Sequence, residues 1–287
     1  MRLRTLTVAI LPLVATTVIA SAQRTPKQDE VEMEMMTYPE IYSAIHDRGK
    51  TTVLIYNGGT EQRGPHAVLG GHTLMARAIA PMIARQLGNA LVAPVLPYST
   101  NPAGGVDPKW PGSVALSSDL FQKVNEAVVD SMVKNGFKNI VLMGDHGGGQ
   151  DDLKKLAAAM DTKYGPQGTH VYFCGDVYEK SRLEFADWLT SKHFPLSNHA
   201  GISDTSTMLY LQPQPELWVR NIYKTTVGDP VLPPGQRPDP KVPRINNGVT
   251  GDPRPSTPEI GKLAVEMKVN NAVAQIRKLI AAKTPAR

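Results

Sequence analysis

The feature that most limits how this chain can fold is an alternation of short β-branched runs with helical stretches. Residues 52–56, 91–96, 139–143 and 170–174 are apolar runs of five or six residues. That is the length of buried strands. Between them, 73–87 carries Leu74, Ala78, Ile79, Met82 and Ile83 at helical spacing and stops at Gly88. Segments 118–135 and 151–164 also read as helices, the first with Gly136 behind it. Strands that alternate with helices imply parallel βαβ units in a layered α/β fold. In such sheets, the loops after the carboxyl ends of the strands collect ligands. Two polar, glycine-rich loops, 57–72 and 144–150, fall at that place. A third long loop, 97–112, holds Gly104-Gly105 and Trp110.

The flanking segments read differently. Residues 1–22 begin with Arg2 and Arg4, continue uncharged, and end at Ala20-Ser21-Ala22. A basic start, an apolar stretch and a small-x-small exit describe a secretory signal peptide. Pro12, Thr16 and Thr17 weaken the alternative, a spanning anchor. The expected product is exported, to a periplasm, with no membrane attachment after cleavage. Residues 23–35 are polar and expected to be mobile. Thr37-Tyr38-Pro39-Glu40 reads as the cap and first turn of a helix ending near Arg48. Residues 225–258 hold nine of the 24 prolines and are expected to wrap the surface as an extended arm. A C-terminal helix follows over 256–282, with Pro258 in its first turn. With no internal repeat, 23–287 reads as one domain.

Composition excludes several functions. There are 31 Lys and Arg against 26 Asp and Glu, but no basic run of the kind that marks a nucleic-acid or membrane patch. A single cysteine, Cys174, rules out an intrachain disulfide and a Cys-rich zinc site. Cys174 lies in an expected strand and reads as a core residue.

Three constellations carry possible chemistry. The first is Gly59-Thr60-Glu61-Gln62-Arg63-Gly64-Pro65-His66, with His72 at the following helix start. One carboxylate and two imidazoles on one loop suit zinc or manganese. A Glu that caps backbone amides and a His66 that only binds its loop are the plain alternatives. The second is Asp145-His146-Gly147-Gly148-Gly149, whose glycines allow a tight fold. No Lys-Ser/Thr follows, so it is not a phosphate-binding Walker loop. The third is His199-Ala200-Gly201, followed by Asp204, Thr205 and Ser206 ahead of an apolar helix. Asp204 or Thr205 can cap that helix. The helix dipole is expected to lower the pKa of His199, which suits a neutral general base. Ser206 lacks a nucleophile-elbow context. His46, His170 and His193 have no companion motif.

Together these segments resemble the creatininase (creatinine amidohydrolase) family over nearly the whole chain after residue 22. Met36-Thr37-Tyr38-Pro39-Glu40 is similar to that family's opening helix. The segment 59–66 resembles its Gly-Thr/Ser-x-Glu-Gln-His-Gly-Pro-His motif, and His146-Gly147-Gly148 its Asn-Gly-His-Gly-Gly-Asn loop. Pro111-Gly112-Ser113, His199-Ala200-Gly201 with Asp204-Thr205-Ser206, and Gly251-Asp252-Pro253 match further family segments in order. The resemblance implies a three-layer α/β/α sandwich with a mainly parallel sheet, often assembled as a hexamer. It implies metal-dependent hydrolysis of amide C–N bonds, generally with two divalent ions.

This sequence departs from that pattern. Arg63 replaces the motif's first His, His72 replaces a bridging Asp, and Ile202 replaces a Glu. An arginine stays protonated and cannot be a ligand. An imidazole has one free lone pair, where a carboxylate can bridge two cations. The resulting expectation is one metal on Glu61, His72 and His146, zinc favoured, with iron and manganese compatible. Water on that metal would attack a small amide, cyclic amides included, with no nucleic-acid partner. His199 would carry the proton, and Arg63 would polarise the carbonyl or hold a substrate carboxylate. Asp204 and His66 are placed behind the ligands or as further ligands, and Trp110 on the substrate loop. The rival is a decayed site that binds a small molecule without metal.

Overall fold

The computed structural model describes residues 30–101, 106–232, 236–237 and 239–283. The signal peptide read over 1–22, and residues 23–29, lie outside the described residues.

Four strands form the central sheet: β1 (Thr52–Asn57), β2 (Ala90–Val92), β5 (Asn139–Gly144) and β6 (His170–Phe173). Their order is β2-β1-β5-β6, and every pairing is parallel. All six residues of β1 are buried. Parallel strands covered on both faces have no solvent side, so they read as continuous apolar runs. A two-stranded parallel ribbon, β3 (Ser99–Thr100) and β4 (Ala115–Leu116), stands apart from the sheet.

Helix α2 (Gly71–Leu87) carries the chain from β1 outward to β2, and α4 (Gln150–Tyr164) carries it from β5 outward to β6. The two crossovers run in opposite directions. Right-handed connections therefore put α2 and α4 on opposite faces. Helix α3 (Ser118–Lys134) packs beside α4. Helix α7 (Pro258–Lys283) packs beside α2 and touches β6, with α6 (Ile202–Leu211) and α5 (Glu179–Ser191) against it. The result is the expected three layers. Leu54, Ile79, Ile140 and Leu142 are fully buried between them. Because the strand order reverses between β1 and β5, a crevice opens outside their carboxyl ends. Asn57 and Gly144, the last residues of those strands, are paired directly.

Several expectations change. Residues 30–35 are not a loose leader. Val31 is 2% exposed, and its carbonyl accepts the Val92 N–H at 2.7 Å. A free sheet edge beside β2 offers unpaired backbone groups, and this segment pairs with them. The run 91–96 leaves the sheet after Val92, and Ser99–Thr100 inside the expected loop is paired instead. Helix α5 was not foreseen, because its charged residues mask a short apolar face. The opening helix α1 (Tyr38–His46) is held by Glu40, which accepts the Thr37 N–H at 2.6 Å. Among its described residues ahead of α7, the proline-rich arm forms no helix, as expected, but it does more than wrap the surface. Asp229 is 7% exposed and accepts the N–H groups of Ile245 and Asn246, which folds the arm back on itself. Among the described residues, no helix is long and apolar enough to cross a membrane.

If 30–35 belongs to the fold, Val31→Ala will lower the unfolding free energy by about 1–2 kcal/mol in urea titrations. A mobile leader would show no change.

Candidate metal centre and active site

The loop after β1 and the loop after β5 meet over the crevice. Glu61 Oε1 lies 3.0 Å from His72 Nε2, and Glu61 Oε2 lies 3.0 Å from His146 Nε2. The two imidazoles meet edge to face, with ring centroids 4.9 Å apart. One ligand atom from each of Glu61, His72 and His146 lies within 4.8 Å of the others, a spacing able to hold a metal ion. The three residues singled out as ligands are therefore brought together.

Each is positioned by its own local structure. His72 opens α2, and its Nδ1–H donates to Asp145 Oδ2 at 2.8 Å. That bond leaves the Nε2 lone pair facing Glu61. A carboxylate behind a histidine is the usual way to fix its tautomer and raise its basicity toward a metal. His146 sits on a loop that Gln150 holds by donating to the carbonyls of Gly144 and His146. Gly149 turns that loop at φ +84°, and a Cβ on Gly148 would meet the Thr100 carbonyl oxygen at 2.0 Å. Only glycine fits such a turn and approach.

Charge explains the cluster better than distance alone. Asp145 is fully buried and receives Lys268 Nζ at 2.5 Å and the Tyr56 hydroxyl at 3.0 Å. Asp204 Oδ2 lies 2.7 Å from Arg63 Nη1 and also accepts the Ala200 N–H at 2.8 Å. Asp204 thus ties down the turn ahead of α6 instead of capping the helix as expected, and it pairs with a cation. Glu61 is the carboxylate left over. Its neighbours are the two imidazoles, His199 Nδ1 at 3.6 Å and Arg63 Nη2 at 3.8 Å. Burial opposes its ionisation, but the bonds from His146 and His72 hold its carboxyl far below the usual range. Burial and Arg63 push the His72 pKa down, and Asp145 and Glu61 more than reverse this, leaving it raised. A site that draws a proton onto His72 draws a metal cation by the same field.

Two observations work against a bound cation. Arg63 Nη2 lies 2.5 Å from His72 Nε2, against the lone pair a metal would use. The Gly148 N–H donates to His146 Nδ1 at 3.0 Å, which leaves the proton on Nε2. His146 serves as a ligand through Nε2 only after a change of tautomer that releases Gly148.

The role given to Arg63 at a substrate carbonyl is corrected. Its side chain is fully buried, and it lines neither cavity at the site. Gly71 makes room for it, since a Cβ there would meet Arg63 Nε at 2.5 Å. Arg63 acts through its charge, from beside His72 Nε2. His66 does not join the cluster either. It is fully buried, and its Nε2 faces Thr205 Oγ1 at 2.9 Å. Cys174 is buried in the core, where desolvation pushes its thiol up to about 12.

His199 stands at the mouth of the site. Its Nε2–H donates to the Gln62 carbonyl at 2.7 Å, which leaves Nδ1 toward Glu61. Its pKa is lowered, chiefly by burial rather than by the helix end invoked from the sequence. Two cavities share Glu61, Asn101 and His199. The smaller, about 410 Å³, is lined by Trp110 from the long loop and by Asp229 and Val249 from the arm. The arm walls this cavity without filling it. The larger, about 610 Å³, reaches His72, His146 and Asp204 and extends to α5 and α7.

Relatives can now be set beside this geometry. A family model described as creatinine amidohydrolase matches residues 34–276. The chain belongs to the creatininase family. That family's chemistry is metal-dependent hydrolysis of carbon–nitrogen amide bonds. The chain is 26% identical over 231 residues to a mycofactocin precursor peptide peptidase of Mycolicibacterium smegmatis, covering 79% of this chain and 84% of that protein. A creatinine amidohydrolase crystal structure superposes with TM-score 0.69 at 20% identity, over 90% of this chain and 99% of that one. A creatininase mutant described as Zn-Zn type (21% identical) and one named creatininase Mn (20%) each superpose with TM-score 0.67, over 87% of this chain and 98% of theirs.

Sequence reasoning missed Lys268 and the use of Asp145. A carboxylate at the end of β5, beside His146, was the available signal for Asp145. Lys268 had none, because it reaches the site from the middle of α7.

The buried His66 gives a prediction with a definite sign. Burial lowers its pKa from 6.5 to about 4, so the unfolded chain takes up a proton first as pH falls. Its contribution is present above pH 6.5 and is lost between pH 6.5 and 4, about 3 kcal/mol in all. Denaturant titrations across that window will show a shallower fall for His66→Gln than for the parent. Parallel curves would contradict the assignment.

Proposed function

We propose that this chain is an amidohydrolase working with a single divalent metal, zinc by preference, on Glu61, His72 and His146. The observation that carries the proposal is the placement of Glu61. Its nearest guanidinium, Arg63, stands 3.8 Å away and sits closer to Asp204, and two imidazole nitrogens face it at 3.0 Å each. In the metal-free protein protons on those nitrogens bridge to Glu61, and a divalent ion on the three residues would take their place. Two histidines with one carboxylate form an established catalytic zinc set. Bound there, a divalent ion supplies a Lewis acid for an amide carbonyl and lowers the pKa of water.

The protein's own groups supply the rest. Asp145 holds His72 in one tautomer, and Lys268 balances Asp145. Arg63 neutralises Asp204, so Asp204 is not free to hold a second ion. Support for one metal rather than two rests on that pairing. His199, neutral near pH 7, accepts a proton at Nδ1 and returns it to the leaving nitrogen. Tyr178 lines the larger cavity, and its hydroxyl, pushed up to about 12 by burial, stays protonated as a donor. The substrate is an amide, cyclic or linear. The name of the mycobacterial relative, a peptidase, supports including peptides. We extend the proposal to export, from the character of residues 1–22, and to a homo-oligomer, from the family resemblance.

The metal-free binding reading is favoured by two contacts, Arg63 on the His72 lone pair and the Gly148 N–H on His146 Nδ1. Hydrolysis of a panel of N-acyl amino acids and cyclic amides separates the two. The hydrolase reading predicts turnover that a chelator stops and zinc restores. His199→Gln will lower kcat by about 10²–10⁴. Asp145→Asn will weaken zinc binding about 10–100-fold. Ligand binding unaffected by chelation, with no turnover of any amide, would establish the binding protein instead.

A further inference from the structure

The two cavities that meet at Glu61 and His199 differ in chemistry. The smaller is lined mostly by polar and charged residues, Gln62, Asp107, Ser113, Asp229 and Asn246 among them. The larger becomes apolar as it leaves the imidazoles. Helix α5 sends Arg182, Phe185, Ala186 and Leu189 into it, and Leu196 and Leu232 line it as well. Positions 182, 185, 186 and 189 follow the i, i+3, i+4, i+7 spacing of one helix face. The face is built for contact, since Phe185 and Leu189 are each 3% exposed and anchored in a small core with Ile202 and Ile260. Arg182 opens that face. Among the described residues it has no acidic partner.

We infer that the α5 end of the larger cavity is a binding subsite for an apolar amino-acid residue with a free carboxylate. Phe185, Ala186 and Leu189 take the side chain, and Arg182 takes the carboxylate. Three residues of helix separate Arg182 from Phe185, about 4.5 Å along the axis, which matches the reach from a carboxylate to the side chain on the same α-carbon. The amide nitrogen of such a residue then points toward the neck at Glu61 and His199, and its acyl part enters the polar cavity. The substrate class is an N-acylated apolar amino acid, free or at the end of a peptide. This deepens the hydrolase proposal and rests on it for the cleavage step, though not for binding.

The test is binding of three probes by calorimetry or NMR titration, with metal-free and zinc-loaded protein. The probes are N-acetyl-L-phenylalanine, its carboxamide and N-acetylglycine. N-acetyl-L-phenylalanine is expected to bind about tenfold or more tightly than either of the others. Arg182→Gln will remove its advantage over the carboxamide. Ala186→Phe, which fills the cavity from a half-buried position, will remove its advantage over N-acetylglycine. Equal binding of the three probes, or an unchanged ranking in both folded variants, would overturn the subsite. Selective binding without turnover by zinc-loaded protein would keep the subsite and remove the hydrolase reading. Turnover without ranking would do the reverse.

Discussion

Everything at this site depends on how three carboxylates are kept ionised where water is scarce. Burial pushes each of them toward the neutral acid, and each stays charged because of what stands beside it. Asp145 has Lys268, and Asp204 has Arg63. Glu61 has imidazoles. That inequality defines the site: two carboxylates are closed by tethered cations, and one is left to be completed from outside. The fold supplies the meeting point. Strand order reverses between β1 and β5, so the loops carrying Glu61 and His146 leave the sheet side by side.

Arg63 shows how one substitution reshapes a metal site without unfolding it. A guanidinium is always charged, so it needs an anion and space. Asp204 is the anion, and the missing side chain of Gly71 provides the space. Once in place, Arg63 uses up the carboxylate on α6 and bears on His72 at Nε2. The same charge lowers the need for a second ion and competes for the lone pair that would hold the first. The balance between these effects is set by Asp145, which strengthens His72 as a ligand by accepting its Nδ1–H.

Much of this was legible before any coordinates. The apolar runs at 52–56 and 139–143 gave β1 and β5, because parallel strands must be apolar on both faces. Glu61, His72 and His146 lie on or just after the loops that follow those strands, and the family resemblance singled them out. Their convergence follows from topology more than from spacing. Other parts were not legible. Val31 is one apolar residue in a polar stretch, and only the open sheet edge beside Val92 gives it a role. Lys268 looks like any solvated lysine of a long helix until α7 is placed against the crevice. Arg63 could be ruled out as a ligand from its chemistry, but its burial beside His72 depends on Gly71 and on Asp204 of α6, a helix distant in sequence. Family resemblance supplied the order of the motifs. It could not show how the altered residues rebalance the charge.

The most direct test of this account is the metal content of the untagged, full-length protein, measured by plasma mass spectrometry beside a His72→Ala variant. The account predicts about one zinc per chain, lost in the variant. Two metals per chain would mean that Arg63 does not close the second position. No metal, after zinc, manganese and iron have each been offered, would mean that Glu61 is satisfied by its imidazoles and Arg63 alone.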